Sequence, residues 1–474
     1  MRLRKRRPAR LPHLQEAGAR HDHRPGVTDA LRFARLDKSP IRREGCSEHL
    51  SLSPGGVTVR RLTLVLAVAL IAALAGIGVQ AAPATAATLP DDDPFYSYTG
   101  SEPLGSFAPG TVLKRRVVTH HYVGLPTPLK VTQLLYRTTG TAGEPTVTVA
   151  TVVPPVFKTF PEPRLVSYQY EYDALGQQCT PSYFFSGGFN LSGGATAGEQ
   201  SALLGYILSG YTVVVPDYEG TQRHFAAGRE SGMNTLDGIR AALNDKSYGL
   251  DATTKAAMVG YSGGSIATEW AAELAPSYAP DVNRRLVGAA AGGVPTDLPH
   301  NLEYADGSLL WAGAIPLGLV GLARAYDVDL DKYASDYGKK IFARVADQCI
   351  VDVLGVYPGL TFAKLMKPQY SSFDKIAEFV TIRKKLVMGQ GNPPTTPLFL
   401  ASAKLDRTGD GIIVTDDVKN LARSYCARGA AVTYHQYTGL EHVGGFAVFI
   451  PDALNWISAR FRGSPQPGVC ARLG

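Results

Sequence analysis

Hydrophobic and polar positions follow two different patterns along the chain. In the first part, β-branched and polar residues alternate between glycines and prolines, which predicts antiparallel strands. From Leu165 onwards, short apolar runs alternate with segments of helical periodicity, and this pattern predicts an α/β protein with a mostly parallel central sheet flanked by helices. The predicted strands lie at 116–123, 131–137, 145–153, 165–170, 212–216, 256–259, 286–293, 397–402 and 431–437.

The strand rhythm stops between Pro295 and Pro397, where only helix-like segments occur. We interpret residues 295–394 as a helical cap (lid), inserted before the last two strands of a core formed by 87–294 and 395–474. Its apolar stretch Leu309–Ala323 contains Pro316 and is too short to span a membrane. This stretch is either a buried cap helix or an apolar wall for an acyl chain.

A basic leader forms the N-terminal part of the sequence, before the predicted core. Residues 1–61 carry a net charge of +9 against +7 for the whole chain, so the rest is slightly acidic and we expect no nucleic-acid partner. We predict that residues 1–58 are disordered or untranslated, with translation starting near Val57 or Val59.

A secretion signal follows the leader at 59–86. Arg60 and Arg61 precede an uncharged apolar run, and Ala84-Thr85-Ala86 is a small-x-small cleavage site. The alternative is an uncleaved membrane anchor. Cleavage predicts a secreted protein with no stable membrane span.

Four of the five cysteines follow the signal: Cys179, Cys349, Cys426 and Cys470. An even number in an exported chain predicts disulfides, and three connectivities are open. No cysteine or histidine cluster suggests a metal.

The candidate nucleophile is Ser262, within the G-x-S-x-G sequence Gly260–Gly264. The motif alone is weak evidence. A buried strand precedes it, however, and Ile266, Trp270 and Leu274 follow on one helical face. A strand that turns through this serine into a helix is typical of a nucleophile elbow. The alternative is an ordinary strand–helix turn that contains a serine.

A serine nucleophile needs a histidine base and a carboxylate that orients the histidine. His442 follows the last predicted strand and is the candidate base. Both Asp406 and Asp410 follow the preceding strand. We prefer Asp410 because it opens an apolar segment that can hold the loop against the core, but the sequence leaves Asp406 open.

Together with the Ala267–Pro276 helix and the segment 166–183, these residues resemble the family of secreted fungal and bacterial lipases similar to Candida antarctica lipase A. The resemblance implies an α/β-hydrolase fold and hydrolysis of acylglycerol esters by Ser262, Asp410 and His442, without a cofactor. It also implies an oxyanion hole from Asp173 and the Gly263 N–H. Finally, it implies the disulfides Cys179–Cys349 and Cys426–Cys470.

The resemblance then implies a lipid or other ester as the substrate, with a lipid–water interface as a candidate place of binding. Two further readings use the same residues. One is a secreted serine peptidase of this fold, and the other is an acyltransferase that transfers the acyl group to an alcohol.

Overall fold

The computed structural model describes residues 87–189, 194–406, 408–471 and 473, without the side chains of 194–196. The predicted leader (1–58) and signal peptide (59–86) lie outside these residues and remain predictions.

Nine strands of the described residues form one sheet, in the order β1-β2-β3-β5-β4-β6-β7-β8-β9. The first three strands and β5 pair antiparallel, and all other neighbours pair parallel. The predicted mostly parallel sheet is therefore confirmed. The strands are β1 (Val112–Tyr122), β2 (Leu125–Thr139), β3 (Pro145–Val153), β4 (Arg164–Gln169), β5 (Thr212–Pro216), β6 (Lys255–Tyr261), β7 (Leu286–Gly292), β8 (Leu398–Lys404) and β9 (Val432–Thr438).

Helices cover both faces of this sheet. The helices outside the β7–β8 connection are α1 (Pro181–Phe185), α2 (Gly194–Leu208), α3 (Gly228–Asp245), α4 (Gly263–Tyr278), α5 (Pro280–Asn283), α12 (Thr415–Ala427) and α13 (His442–Phe461). One apolar core contains Ile239 of α3, Trp270 of α4 and Val418 of α12. A second contains Leu203 of α2 and Phe449 of α13. Each core uses one set of alternating side chains of the buried strands, as expected for a sheet between two helical layers.

The chain between β7 and β8 is helical. Its helices are α6 (Leu298–Tyr304), α7 (Ala314–Tyr326), α8 (Leu330–Tyr333), α9 (Asp336–Val345), α10 (Phe362–Leu365) and α11 (Ala377–Leu386). They share an apolar core with Leu175 and Phe225 of the sheet region. The Met388 N–H donates to the Thr296 carbonyl (2.8 Å) and so joins the two ends of this segment.

Two disulfides are present among the described residues, with the pairing that the family resemblance implies. Cys179–Cys349 connects the loop after β4 to the helical segment, and Cys426–Cys470 connects α12 to the C-terminal region. Among the described residues, no helix combines the length and the hydropathy that crossing a bilayer requires.

Candidate active site

Ser262 lies at the sharp turn between β6 and α4. Its backbone has φ 50° and ψ −121°, a conformation that L-residues rarely adopt. Neighbouring glycines permit the turn, because a Cβ on Gly260 would lie 2.2 Å from the Gly264 carbonyl oxygen. A Cβ on Gly264 would lie 2.1 Å from the carbonyl oxygen of Gln169 on β4. The predicted strand–serine–helix turn is therefore present, at the carboxyl end of a parallel strand.

His442 is the first residue of α13, directly after the loop that follows β9. Its Nε2 lies 2.7 Å from the Ser262 Oγ, and its Nδ1 lies 2.8 Å from Asp410 Oδ2. All three side chains are buried. A serine, an imidazole and a carboxylate in this order form the hydrogen-bonded chain by which an imidazole can remove a hydroxyl proton.

The structure brings Asp410, not Asp406, to His442. Asp410 Oδ1 accepts hydrogen bonds from the backbone N–H of Ile412 (3.2 Å) and Ile413 (2.8 Å). The Asp410 carbonyl accepts a third from the His442 N–H (3.0 Å). Asp406 is exposed, in the turn that its backbone forms with Gly409. The carboxylate that faces the imidazole is thus held by the backbone on both sides.

Two aromatic rings pack against His442. The Tyr261 hydroxyl donates to the His442 carbonyl (2.6 Å), and the two ring centroids are 5.1 Å apart. Trp311, from the segment before α7, meets the imidazole edge-on at 5.2 Å. Trp311 belongs to the apolar stretch Leu309–Ala323, but no motif or spacing in the sequence links it to His442.

Asp173 lies beside the N-terminus of α4, as an oxyanion hole would require. Its backbone has a φ of 33°, and its buried Oδ1 has no hydrogen-bond partner. The Gly263 N–H is at the first turn of α4, where helix geometry leaves N–H groups without an intrahelical acceptor. Burial raises the pKa of the Asp173 carboxyl to about 7, although nearby His442 acts in the opposite direction. A protonated carboxyl and a backbone N–H could therefore both donate toward one point.

Two further carboxyls at the site were not singled out from the sequence. Glu199 of α2 accepts a hydrogen bond from the Glu171 N–H (2.9 Å), and burial raises the pKa of Glu199 to about 7. Burial, followed by the charges of Asp173 and Glu199, raises the pKa of Glu171 well above its usual value. The nearby Ser262 hydroxyl acts in the opposite direction. Only the position of Glu171 two residues after a parallel strand could have suggested it.

A cavity of about 50 Å³ opens from Ser262 toward the helical segment. Its walls are almost entirely apolar. They include Leu302 of α6, Ala314 and Gly318 of α7, and Ile266 of α4, together with Phe225 and Ile413. Leu319, in the same apolar stretch, is instead buried in the core of the helical segment. One face of α7 is therefore a buried cap helix, and another face lines the cavity at Ser262. The role of this stretch as a wall for an acyl chain stays a prediction.

Among the described residues, no group of His, Cys, Asp and Glu side chains is arranged to hold a metal ion.

The sheet order, the serine at the strand–helix turn and the hydrogen-bonded histidine define an α/β-hydrolase fold. The family model described as secretory lipase matches residues 187–468, and the chain belongs to this family.

Relatives and solved structures agree with this assignment. A Mycobacterium tuberculosis protein named "Probable inactive lipase" is 35% identical over 387 residues, 80% of this chain and 83% of that protein. Lipase 5 of Candida albicans is 33% identical and covers 81% of this chain and 84% of its own length. The closed state of Candida antarctica lipase A has a TM-score of 0.73 at 31% identity, and covers 80% of this chain and 88% of that one. The family resemblance inferred from the motifs is thereby confirmed.

Proposed function

We propose that this chain is an exported serine hydrolase that cleaves the carboxylic esters of acylglycerols through an acyl-enzyme intermediate. The observation that supports the proposal is the continuous contact from Ser262 Oγ through His442 to Asp410, with distances of 2.7 Å and 2.8 Å. The apolar cavity that begins at Ser262 suits an acyl chain.

In the proposed reaction, the Ser262 Oγ attacks the ester carbonyl carbon while His442 Nε2 takes the hydroxyl proton. Asp410 holds the imidazole in the required tautomer and stabilises the imidazolium. The Gly263 N–H and the protonated Asp173 carboxyl donate to the oxyanion. His442 then gives its proton to the leaving alcohol, and a water molecule, activated by the same imidazole, releases the fatty acid. Ester and water are the only reactants that this sequence of steps consumes.

One relative is named as an inactive lipase, and inactivity is therefore the alternative expectation for this chain. Loss of activity in an α/β-hydrolase follows most directly from loss of the nucleophile, the base or the acid. This chain has all three residue types within hydrogen-bonding distance of one another. We therefore propose an active enzyme.

We also propose that residues 295–394 act as a lid. A cavity of about 50 Å³ has room for only a few water molecules, and Ser262 is 8% exposed. A long acyl chain can enter only after part of this segment moves. Export is supported by the two disulfides and the secretory family, and requires the predicted signal peptide at 59–86.

The test is hydrolysis by purified residues 87–474 and by the Ser262→Ala variant. Triglycerides, p-nitrophenyl esters and a peptide substrate should be assayed in parallel. We expect ester hydrolysis that disappears in Ser262→Ala while the melting temperature stays close to that of the parent. Retained ester hydrolysis in the variant, or cleavage of the peptide alone, would overturn the proposal.

A further inference from the structure

Glu171 lies level with Ser262 at the carboxyl edge of the sheet. Strands β4 and β6 are parallel neighbours, with Gln169 opposite Gly260. Glu171 and Ser262 each lie two residues beyond this pair, Glu171 after β4 and Ser262 after β6. The Ser262 hydroxyl lies close enough to the Glu171 carboxyl to oppose the rise in its pKa, and the Glu171 backbone N–H donates to the Glu199 carboxyl (2.9 Å). Glu171 is thus placed beside the nucleophile by the sheet and by α2.

Glu171 is also more accessible than its neighbours at the site. Ser262, Asp173 and Glu199 are 8%, 5% and 2% exposed, whereas Glu171 is half-buried. It does not line the apolar cavity that opens from Ser262 toward α6 and α7. An ester bound at Ser262 has an acyl part and an alcohol part. If the acyl part occupies this cavity, the alcohol part extends elsewhere, and Glu171 is a polar side chain near Ser262 that solvent can still reach.

The charges around Glu171 indicate which alcohols it can bind. Asp173, Glu199 and Asp410 all act against its ionisation, and burial is the largest contribution to its raised pKa. A carboxyl with a raised pKa keeps its proton to higher pH, and in that form it both donates and accepts hydrogen bonds. A hydroxyl group has the same two capacities, while a cationic alcohol such as choline would require the ionised form.

We propose that the Glu171 carboxyl is a subsite for a free hydroxyl group on the alcohol part of the ester. The enzyme then favours partial acylglycerols and other polyol esters over esters of simple alcohols. This proposal rests on the ester hydrolysis proposed above and adds a substrate class to it.

The test compares two soluble butanoate esters, the 2,3-dihydroxypropyl ester and the propyl ester, which differ only in the two hydroxyls. For the parent enzyme we expect kcat/KM to be about tenfold higher for the dihydroxypropyl ester, the size of one neutral hydrogen bond. In Glu171→Leu this ratio should fall about tenfold, mostly through the dihydroxypropyl ester. Glu171→Gln, which keeps a donor and an acceptor, should retain most of the preference. Glu303→Gln changes an exposed glutamate and should leave the ratio unchanged.

Three results would overturn the subsite. They are an equal loss on both esters in Glu171→Leu, no preference in the parent enzyme, and a preference of the parent for butanoylcholine over both neutral esters. The parent measurements need no variant, so the proposal stays testable if Glu171→Leu does not fold. Absence of activity on every ester would contradict the proposed function itself, whereas activity without the hydroxyl preference would contradict only the role of Glu171.

Discussion

Asp173 Oδ1 lies 1.4 Å from the position that a Cβ on Gly263 would take. Any side chain at the position after the nucleophile would therefore collide with the Asp173 carboxyl, which would have to move to admit it. Enlarging Gly263, one of the two proposed oxyanion donors, would thus displace the other, Asp173.

Gly263→Ala should lower kcat by roughly 10², the cost of one displaced oxyanion donor, because the new methyl group must push Asp173 aside. Steady-state ester hydrolysis measures this. Gly198→Ala is the matched control, since its Cβ would meet only Phe446 at 3.8 Å and should leave kcat unchanged. A Gly263→Ala enzyme with parental kcat would separate Asp173 from the oxyanion.

Asp410→Asn should lower kcat by about 10⁴ without unfolding the protein, because the amide favours the wrong tautomer of His442. Asp406→Asn should stay close to the parent, since Asp406 is exposed and the His442 ring contacts Asp410 instead. If the Asp406 variant proved the more damaged of the two, the acid would have to be reassigned.

The sequence predicted elements where local chemistry decides them. The bounds of β3 and β5 were predicted as found, because β-branched runs between turn residues leave little choice. The start of α13 at His442 itself was not predicted, and it depends on the Glu441 side chain, which caps the helix by accepting the N–H of Val443 and Gly444. Pro276 was expected to end α4, yet the helix continues to Tyr278.

Side chains that act through tertiary contacts were harder to predict. Asp410 could be preferred over Asp406 because the apolar residues after it suggested a fixed loop. Trp311 and Glu171 reach the site from separate parts of the chain, and no spacing rule connects either of them to Ser262. Their contacts depend on strand register and on how the helical segment packs, which one sequence does not reveal.

Activity should decline as pH rises through about 7, because the pKa of Asp173 is raised from 3.8 to about 7 and only its protonated form can donate to the oxyanion. The folded state also holds this proton more tightly than the unfolded state, so the contribution of Asp173 to stability decreases as pH rises from 4 to 7. Asp173→Asn keeps a donor and should remove the alkaline step from the kcat profile. An unchanged alkaline limb in Asp173→Asn would assign that limb to another group.

Gly318→Leu should impair long-chain esters roughly tenfold or more relative to acetate esters, because overpacking a cavity costs about 1–3 kcal/mol. A Cβ at Gly318 would lie 3.8 Å from Leu302 and 4.0 Å from Phe225, both of which line the cavity. Leu319→Ala alters the other face of α7, so it should lower the melting temperature but preserve the chain-length ratio. Equal effects of Gly318→Leu on long and short esters would place the acyl chain elsewhere.

Glu269→Gln should stabilise the protein at alkaline pH and have little effect near pH 5. Glu269 and Glu273 of α4 both contact the hydroxyl of Tyr425, which has one proton for two carboxyls. Burial raises the pKa of both glutamates, and Oε2 of the fully buried Glu269 has no hydrogen-bond partner. In the folded state, one carboxyl therefore keeps its proton to a higher pH than it does in the unfolded state.

Because the folded-state pKa is raised, the stability that this proton contributes is complete at low pH and is lost as pH rises above the ordinary glutamate value of 4.5. Glutamine imitates the protonated acid at every pH. The melting temperature of Glu269→Gln should therefore match the parent near pH 5 and exceed it increasingly toward pH 9, as measured by calorimetry. Glu303→Gln removes an exposed charge and should show no such trend. A constant difference between Glu269→Gln and the parent across this range would mean that Glu269 is ionised throughout, with both carboxylates stabilised by the cationic Arg428 nearby.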